Sequence, residues 1–321
     1  MQILITGAAG FIGFNISRFL LLNKKIKVYG IDNLNEYYSV SLKIDRIKQL
    51  KKFKNFKFQK LDIRNKSKLE NFFKNKNFSL IINLAAQAGV RYSLKKPNEF
   101  VENNILGFYN LISVANKKKI KRIIYASSSS VYGDTKKFPL LEKNYVHPKN
   151  IYSLSKKNNE EMADVFSRQF KIKFIGLRFF TVYGEWGRPD MFLMKYLTSS
   201  YNSLKKFYLN NYGNHTRDFT YINDVCEIVK CLVFLRKKDL NHEIYNICSN
   251  NPVKLKSIMN KINYLTGKKP KTFKRGLQEA DVVKTHGSNK KILHLVGKQK
   301  FTNINIGLEN TLNWFKNYYK Y

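Results

Sequence analysis

The sequence predicts an α/β fold, a mostly parallel, doubly wound sheet with a smaller C-terminal lobe. Two observations carry that expectation. Short β-branched runs alternate with amphipathic helical stretches through the first half of the chain, and a glycine-rich turn joins the first strand to the first helix. The strands are QILIT (2–6), KVYGID (27–32), FKFQKLD (56–62), LIINLAA (80–86), RIIYAS (122–127) and FIGLRFF (174–180). Helical periodicity falls between them, at 11–23, 40–52, 67–75, 99–117 and 152–170. Beyond about residue 180, loops rich in Tyr, Asn and Gly take over. A helix near 222–236 and the strand EIYNIC (243–248) then return to the sheet. The expected division is a nucleotide-binding part, 1–180 with the returning pair near 219–247, and a substrate-binding lobe made of 181–218 and 248–321.

Composition narrows the function classes. An apolar fraction of 43%, with 14% aromatics, supports a globular core and argues against disorder. The formal charge of +37, from 59 basic and 22 acidic residues, raises the question of a nucleic-acid or anionic-membrane partner. The lysines are scattered, however (LLNKKIK, LKKFKNFKF, NKKKIKR), and arginine, the better reader of phosphate, is scarce. The excess therefore reads as compositional bias, with no nucleic-acid partner, although it would still draw in an anionic substrate. Cys226, Cys231 and Cys248 contain no CxxC pair, and the five histidines lie far apart. Neither disulfides nor a metal site is expected. The N-terminus lacks a basic region ahead of its apolar stretch, and no run of 18 apolar residues occurs. No membrane span and a cytoplasmic location are expected.

The turn ILITGAAGFIGFN spaces Gly7, Gly10 and Gly13 as GxxGxxG. Gly7 permits a tight turn, Gly10 lets the backbone approach a pyrophosphate, and Gly13 allows close helix–strand packing. The next strand ends in Asp32, nineteen residues after Gly13. A carboxylate there accepts hydrogen bonds from a ribose 2′-hydroxyl and repels a 2′-phosphate, which selects NAD over NADP on a Rossmann-like sheet.

Four serines follow the fifth strand in YASSSSVYGD (125–134), at the carboxyl edge where open α/β sheets bind ligands. Some twenty residues later, NIYSLSKKNNEEMA places Tyr152 and Lys156 four apart, on one face of a helix. An ammonium beside a phenol favours the phenolate, so Tyr152 could serve as a general base despite an ordinary pKa of about 10. In isolation such a pair, in a chain this rich in both residues, reads as a surface feature.

Read together, the glycine turn, Asp32, NLAAQAGV, the serine cluster and YxxxK resemble the extended short-chain dehydrogenase/reductase superfamily. Longer stretches are more specific. AAQAGVRYSLKKPNEFVENNILGFYNL, YASSSSVYG, LRFFTVYGEWGRPDM, RDFTYINDV and EADVVKTH are similar to the nucleoside-diphosphate-sugar 4-epimerases that act on UDP-glucuronate. The resemblance runs from Ile3 to the final WFKNYY. It implies an isomerase that uses NAD to convert UDP-glucuronate to UDP-galacturonate through a 4-keto sugar. It also implies a homodimer through the helices near 99–117 and 152–170.

By the same resemblance Tyr152, Lys156 and Ser128 are the catalytic set. Gly7, Gly10, Phe11, Ile12, Asp32, Asn33, Asp62, Ile63, Leu84, Ala85, Ala86, Gln87 and Asn103 contact the cofactor, and Phe180 and Thr181 lie where nicotinamide and sugar meet. Arg217, Gln278 and Asp281 match positions that hold UDP. Galactose-type epimerases carry arginine where Gln278 stands, which leaves Arg217 as the chief diphosphate cation among the matched positions.

Dehydratases and UDP-glucuronate decarboxylases of the superfamily carry an acid before VYG. Ser129 and Ser130 stand there, and neither can protonate a leaving hydroxyl, although both can donate to a sugar carboxylate. Arg188 either joins that grip or pairs with Asp190. UDP-glucose 4-epimerase is the nearest alternative and decarboxylase the next. From another class, a basic nucleotide-binding regulatory protein would explain the charge, but an intact Ser128/Tyr152/Lys156 set argues against it.

Overall fold

The computed structural model describes residues 1–235, 241–297 and 300–321. Its strands are β1 (Gln2–Thr6), β2 (Lys27–Asp32), β3 (Phe56–Lys60), β4 (Leu80–Asn83), β5 (Arg122–Ser128), β6 (Lys173–Phe179), β7 (Thr181–Tyr183), β8 (Phe207–Leu209), β9 (Thr216–Tyr221), β10 (His242–Ile247), β11 (Pro252–Lys254) and β12 (Thr272–Lys274). The helices are α1 (Phe11–Leu21), α2 (Val40–Lys51), α3 (Lys66–Phe73), α4 (Val90–Lys95), α5 (Pro97–Phe100), α6 (Gly107–Lys117), α7 (Ile151–Phe170), α8 (Phe192–Tyr201), α9 (Ile222–Phe234), α10 (Leu255–Thr266), α11 (Lys290–Val296) and α12 (Ile304–Tyr319).

Seven strands form one parallel sheet in the order β10-β6-β5-β4-β1-β2-β3. The order reverses beside β1, which opens a crevice at the carboxyl ends of the strands, where doubly wound sheets take their ligands. Both faces are covered. Alternation along β1 sends Ile3 and Ile5 to a core with Phe14, Val225 and Leu232, and Leu4 to one with Leu69, Phe108 and Ala163. Strands buried on both sides read as continuous apolar runs, as LIIN in β4 does. The outer strand β3 differs: Lys57, Gln59 and Lys60 are exposed along it.

The returning helix and strand are α9 and β10, with β10 paired to β6. Residues 236–240, which include the end expected for that helix, lie outside the described residues, as do 298 and 299 of the expected lobe. Two small sheets lie apart from the main one, β11-β9-β7 and β12-β8. The segments 61–62 and 84–86, expected to extend β3 and β4, instead leave the sheet at its carboxyl edge. The helix expected over 99–117 is three pieces. A π-helical turn, Val101–Leu106, separates α5 from α6 and buries the consecutive residues Asn103 and Asn104. Among the described residues no helix is long and apolar enough to cross a membrane.

One buried cation ties the glycine turn to the rest of the crevice. Arg46 of α2 has no exposed surface. It donates to the Ala9 carbonyl at 2.8 Å, the Tyr38 hydroxyl at 2.8 Å and the Trp186 carbonyl at 2.6 Å. Arg46→Met strands those buried acceptors. It is expected to lower unfolding free energy by about 2–5 kcal/mol in urea denaturation, because an unmet buried polar group costs roughly 1–3 kcal/mol.

Candidate active site

The crevice holds a cavity of about 270 Å³. Its first wall is the turn between β1 and α1. Gly7 adopts φ +68°, and a Cβ on it would sit 2.7 Å from the Ala85 nitrogen; one on Gly13 would sit 2.1 Å from the Gly7 carbonyl oxygen. Only glycine allows so close an approach. Gly10 caps α1 and offers no side-chain acceptor, so the first N–H groups of the helix are open to an anion.

Gly7, Gly10, Phe11, Ile12 and Gly13 line the cavity, and Asp32, Asn33, Asp62 and Ile63 line it from the ends of β2 and β3. Leu84, Ala85, Ala86 and Gln87 after β4, with Asn103 and Phe180, complete the expected cofactor set around this single cavity. Asp32 is held in place by N–H donors from Ala9 at 3.0 Å and Leu34 at 2.8 Å. Burial raises its pKa against those donors and the nearby Lys43 and Arg46. A glycine cradle, an open helix N-terminus and a fixed carboxylate fit a dinucleotide.

Ser128, Tyr152 and Lys156 line the same cavity. An Asn150–Ser153 capping box starts α7, so Tyr152 stands in its first turn and Lys156 one turn later. The four serines diverge. Ser127 donates to Glu160 at 2.6 Å. Ser128 accepts from the Ser130 hydroxyl at 2.9 Å and the Ser130 N–H at 3.2 Å. A hydroxyl has two acceptor sites and one proton, so the Ser128 proton remains available to the Tyr152 phenol, whose ionisation that hydroxyl favours.

The electrostatics depart from the expected lysine–phenol contact. Burial raises the Tyr152 pKa, and the opposing influences are Ser128 and the Arg188 charge. The Lys156 ammonium lies deeper and donates to the Ala126 carbonyl at 2.9 Å. Burial lowers its pKa to about 8. Sharing one helix face therefore does not bring the ammonium to the phenol; the carbonyl at the end of β5 takes it.

The sugar-side residues lie elsewhere. Ser129 and Ser130 begin a 3₁₀ turn beyond β5, both half-buried and outside the cavity lining. Thr181 lines a second cavity of about 40 Å³ that shares Phe11, Val182, Arg188 and Met191 with the first. Arg188 is bidentate to Asp190, at 2.9 and 2.5 Å, so the pairing left open in the sequence is made, while the guanidinium still lines the main cavity. Arg217 on β9 donates to the carbonyls of Val282 at 2.5 Å and Val283 at 2.9 Å. Gln278 donates to Gly276 at 3.3 Å. Asp281 accepts a bidentate pair from Arg91 of α4, at 3.0 and 2.6 Å.

Arg91 is thus a second cation beside the residues matched to UDP, and no sequence pattern singled it out. Asn35, Tyr37, Tyr38 and Lys43 also line the main cavity without having been expected there. For Lys43 a signal existed. It is buried with Leu42, Arg46, Ile47 and Leu50 on one stripe of α2, and a lysine on an apolar stripe calls for a partner.

A family model, the NAD dependent epimerase/dehydratase family, matches residues 3–248. The chain belongs to that family. It is 42% identical, over 98% of its length and 96% of the relative's, to an uncharacterized protein of Methanocaldococcus jannaschii. It is 36% identical to a UDP-glucuronate 4-epimerase of Thermodesulfobacterium geofontis, over 98% of this chain and 95% of that one. The crystal structure of UDP-glucuronic acid 4-epimerase from Bacillus cereus, in complex with UDP-glucuronic acid and NAD, superposes with a TM-score of 0.93 at 29% identity, covering 99% of this chain and 100% of that one. In a family so named the dinucleotide is NAD, which suits Asp32.

Asp32→Ala removes both an acceptor and a repelling charge. NAD affinity measured by calorimetry is expected to fall about ten- to a hundredfold, as for loss of hydrogen bonds to a charged group, and NADP affinity to fall less. A wild-type preference for NADP would overturn the assignment.

Proposed function

We propose that the chain is a UDP-glucuronate 4-epimerase, an isomerase interconverting UDP-glucuronate and UDP-galacturonate through a 4-keto sugar with NAD as its cofactor. One observation carries the reading: Ser128, Tyr152 and Lys156 stand on the wall of the cavity that the glycine turn and Asp32 also line, and serines occupy the two positions before VYG where an acid would mark another chemistry.

The glycine turn, Asp32, Asn33, Asp62, Ile63, Leu84–Gln87, Asn103 and Phe180 hold the cofactor. NAD bound there would supply the hydride acceptor and donor for carbon 4 of the sugar. Tyr152 removes the proton of the 4-hydroxyl and later restores it. Ser128, whose oxygen accepts the Ser130 N–H, is assigned to donate its own proton to the Tyr152 oxygen and steady the phenolate. Lys156 fixes the end of β5 through Ala126 and supplies positive charge to the wall.

The 4-keto form of a uronate is a β-keto acid and loses CO₂ readily, so the carboxylate must be held out of alignment. Ser129, Ser130 and Thr181 are assigned to that grip, Ser130 by turning its hydroxyl from Ser128 to the carboxylate, with Arg188 beside them on Asp190. Arg217, Gln278 and Asp281 hold UDP.

The chain divides accordingly into an NAD-binding part, residues 1–180 with the return near 219–247, and a UDP-sugar lobe of 181–218 and 248–321. A homodimer through the π-turn, α6 and α7 is supported by their exposed apolar side chains Leu106, Tyr109, Leu154, Val165 and Phe170.

Two measurements test the assignment. Tyr152→Phe is expected to keep NAD bound while losing roughly two to four orders of magnitude in turnover, the usual reach of general acid–base catalysis. Near-normal turnover would overturn the mechanism. Replacing both Ser129 and Ser130 with Ala is expected to cut UDP-glucuronate epimerisation by about ten- to a thousandfold, from hydrogen bonds to a charged group worth about 1.5–3 kcal/mol each. Turnover of UDP-glucose should fall less, and CO₂ and a 4-keto pentose should leak from the uronate. Equal losses on both sugars without CO₂ would leave the serines as loop-shaping residues.

A further inference from the structure

Beneath the catalytic wall lies a buried ion pair that the reaction as described does not use. Glu160 of α7 and Arg178 of β6 are paired, with side chains only 2% and 4% exposed. The guanidinium donates Nε to Glu160 Oε1 at 2.8 Å and Nη2 to Oε2 at 2.7 Å, and Nη1 to the Glu142 carbonyl at 3.1 Å. It also lies 4.7 Å from the ring centroid of Tyr132 in the VYG turn. Tyr132 in turn donates to Asn246 of β10 at 2.7 Å. The third element is β5, whose Ser127 stands beside Arg178 in the sheet register and donates to Glu160 Oε1 at 2.6 Å.

Burying two charges is an inefficient way to gain stability, since the desolvation cost offsets most of the attraction. What the pair achieves is registration. Glu160 follows Lys156 by one helical turn, and Ser127 precedes Ser128 by one residue. With its hydroxyl committed to Glu160, Ser127 fixes the end of β5 against α7. Lys156 of the same helix holds the Ala126 carbonyl, so α7 grips β5 at two consecutive residues, and Ser128, the next one, is set against Tyr152 on the wall of the cavity that both line.

We infer that the Ser127–Glu160–Arg178 relay is a positioning device that sets the placement of Ser128 against Tyr152. The inference rests on the epimerase reading for its kinetic consequence only.

Charge balance is part of the device. Around Glu160 stand Arg178 from β6, Tyr125 from β5, His242 from β10, Glu142 from the loop after the VYG turn and Tyr132 from that turn. From α7 itself come Lys156, Glu161 and Asp164. Arg178 is the cation bonded directly to the carboxylate, so the pair is neutral as a whole. Loss of the Arg178 charge would leave an unpaired carboxylate one turn from Lys156. Negative charge disfavours the phenolate, so Tyr152 would then ionise at higher pH.

The test uses the full chain with NAD. Ser127→Ala removes one hydroxyl without opening the ion pair. It is expected to leave NAD affinity and unfolding temperature near wild type and KM unchanged, while kcat falls about ten- to a hundredfold, as for small misplacement of a reacting group. Tyr152 ionisation, read as the ultraviolet difference between each protein and its Tyr152→Phe counterpart, should move to higher pH. Ser127→Thr, which keeps the hydroxyl, should restore both.

Arg178→Met should raise the Tyr152 titration further, and adding Glu160→Gln to it should bring the titration back. The proposal is overturned if Ser127→Ala matches wild type in both kcat and Tyr152 titration. It is overturned equally if the double variant titrates like Arg178→Met alone. Failure of the epimerase reading looks different: wild type would not turn over UDP-glucuronate, while the Tyr152 titration would still respond to Ser127.

Discussion

The structure depends first on a contact that tolerates no side chain. The Gly7 carbonyl lies where a Cβ of Gly13 would have to go, at 2.1 Å. That closeness lets α1 leave β1 through a turn of only four residues, its open N-terminus at the carboxyl edge of the sheet. The rest of the site is arranged around this edge. Asp32 reaches back to the Ala9 N–H, Arg46 takes the Ala9 carbonyl, and Ala85 passes within van der Waals distance of Gly7 on the other side. Any displacement of the turn would be felt at β2, α2 and β4 together.

Some of this was legible in the sequence because the chemistry is local. The glycine spacing, the carboxylate ending the second strand and the YxxxK interval each lie within one element or one βαβ unit, where the helical and strand periods translate spacing into direction. The expected cofactor residues accordingly line one cavity. Less legible were contacts between distant segments. Arg91 meets Asp281 across 190 positions, and no local period connects them. Sequence placed Lys156 on the right face of α7 but not at the right depth. The strand backbone that receives its ammonium belongs to another element. The π-turn at Val101–Leu106 escaped as well, since one extra residue per turn does not alter an apolar pattern read at low resolution.

Helix α7 shows how unusual the interior of the site is. Its buried face is Ser153, Ser155, Lys156, Asn159, Glu160, Ala163 and Ser167, almost all polar. Such a face holds in place only when its groups find partners. Ser155 accepts from Asn104, Asn159 donates to the Asn104 carbonyl, and Glu160 holds Ser127 and Arg178. The π-turn supplies Asn104 to this set, so the irregular helix and the polar one complete each other. A greasy α7 would pack as well but would not dictate rotation about its own axis, and Tyr152 lies on that axis of choice.

The outer strand β3 gives the basic composition a consequence of its own. A sheet edge with free N–H and C=O groups is a template on which another chain can add a strand. Here the edge carries Lys57 and Lys60, with Lys54 just ahead of it, all exposed. Any second copy approaching in register would bring like charge against like charge before a single backbone bond could form. Lysine abundance thereby also acts as a guard against fibril growth, and it would weaken as salt screens it.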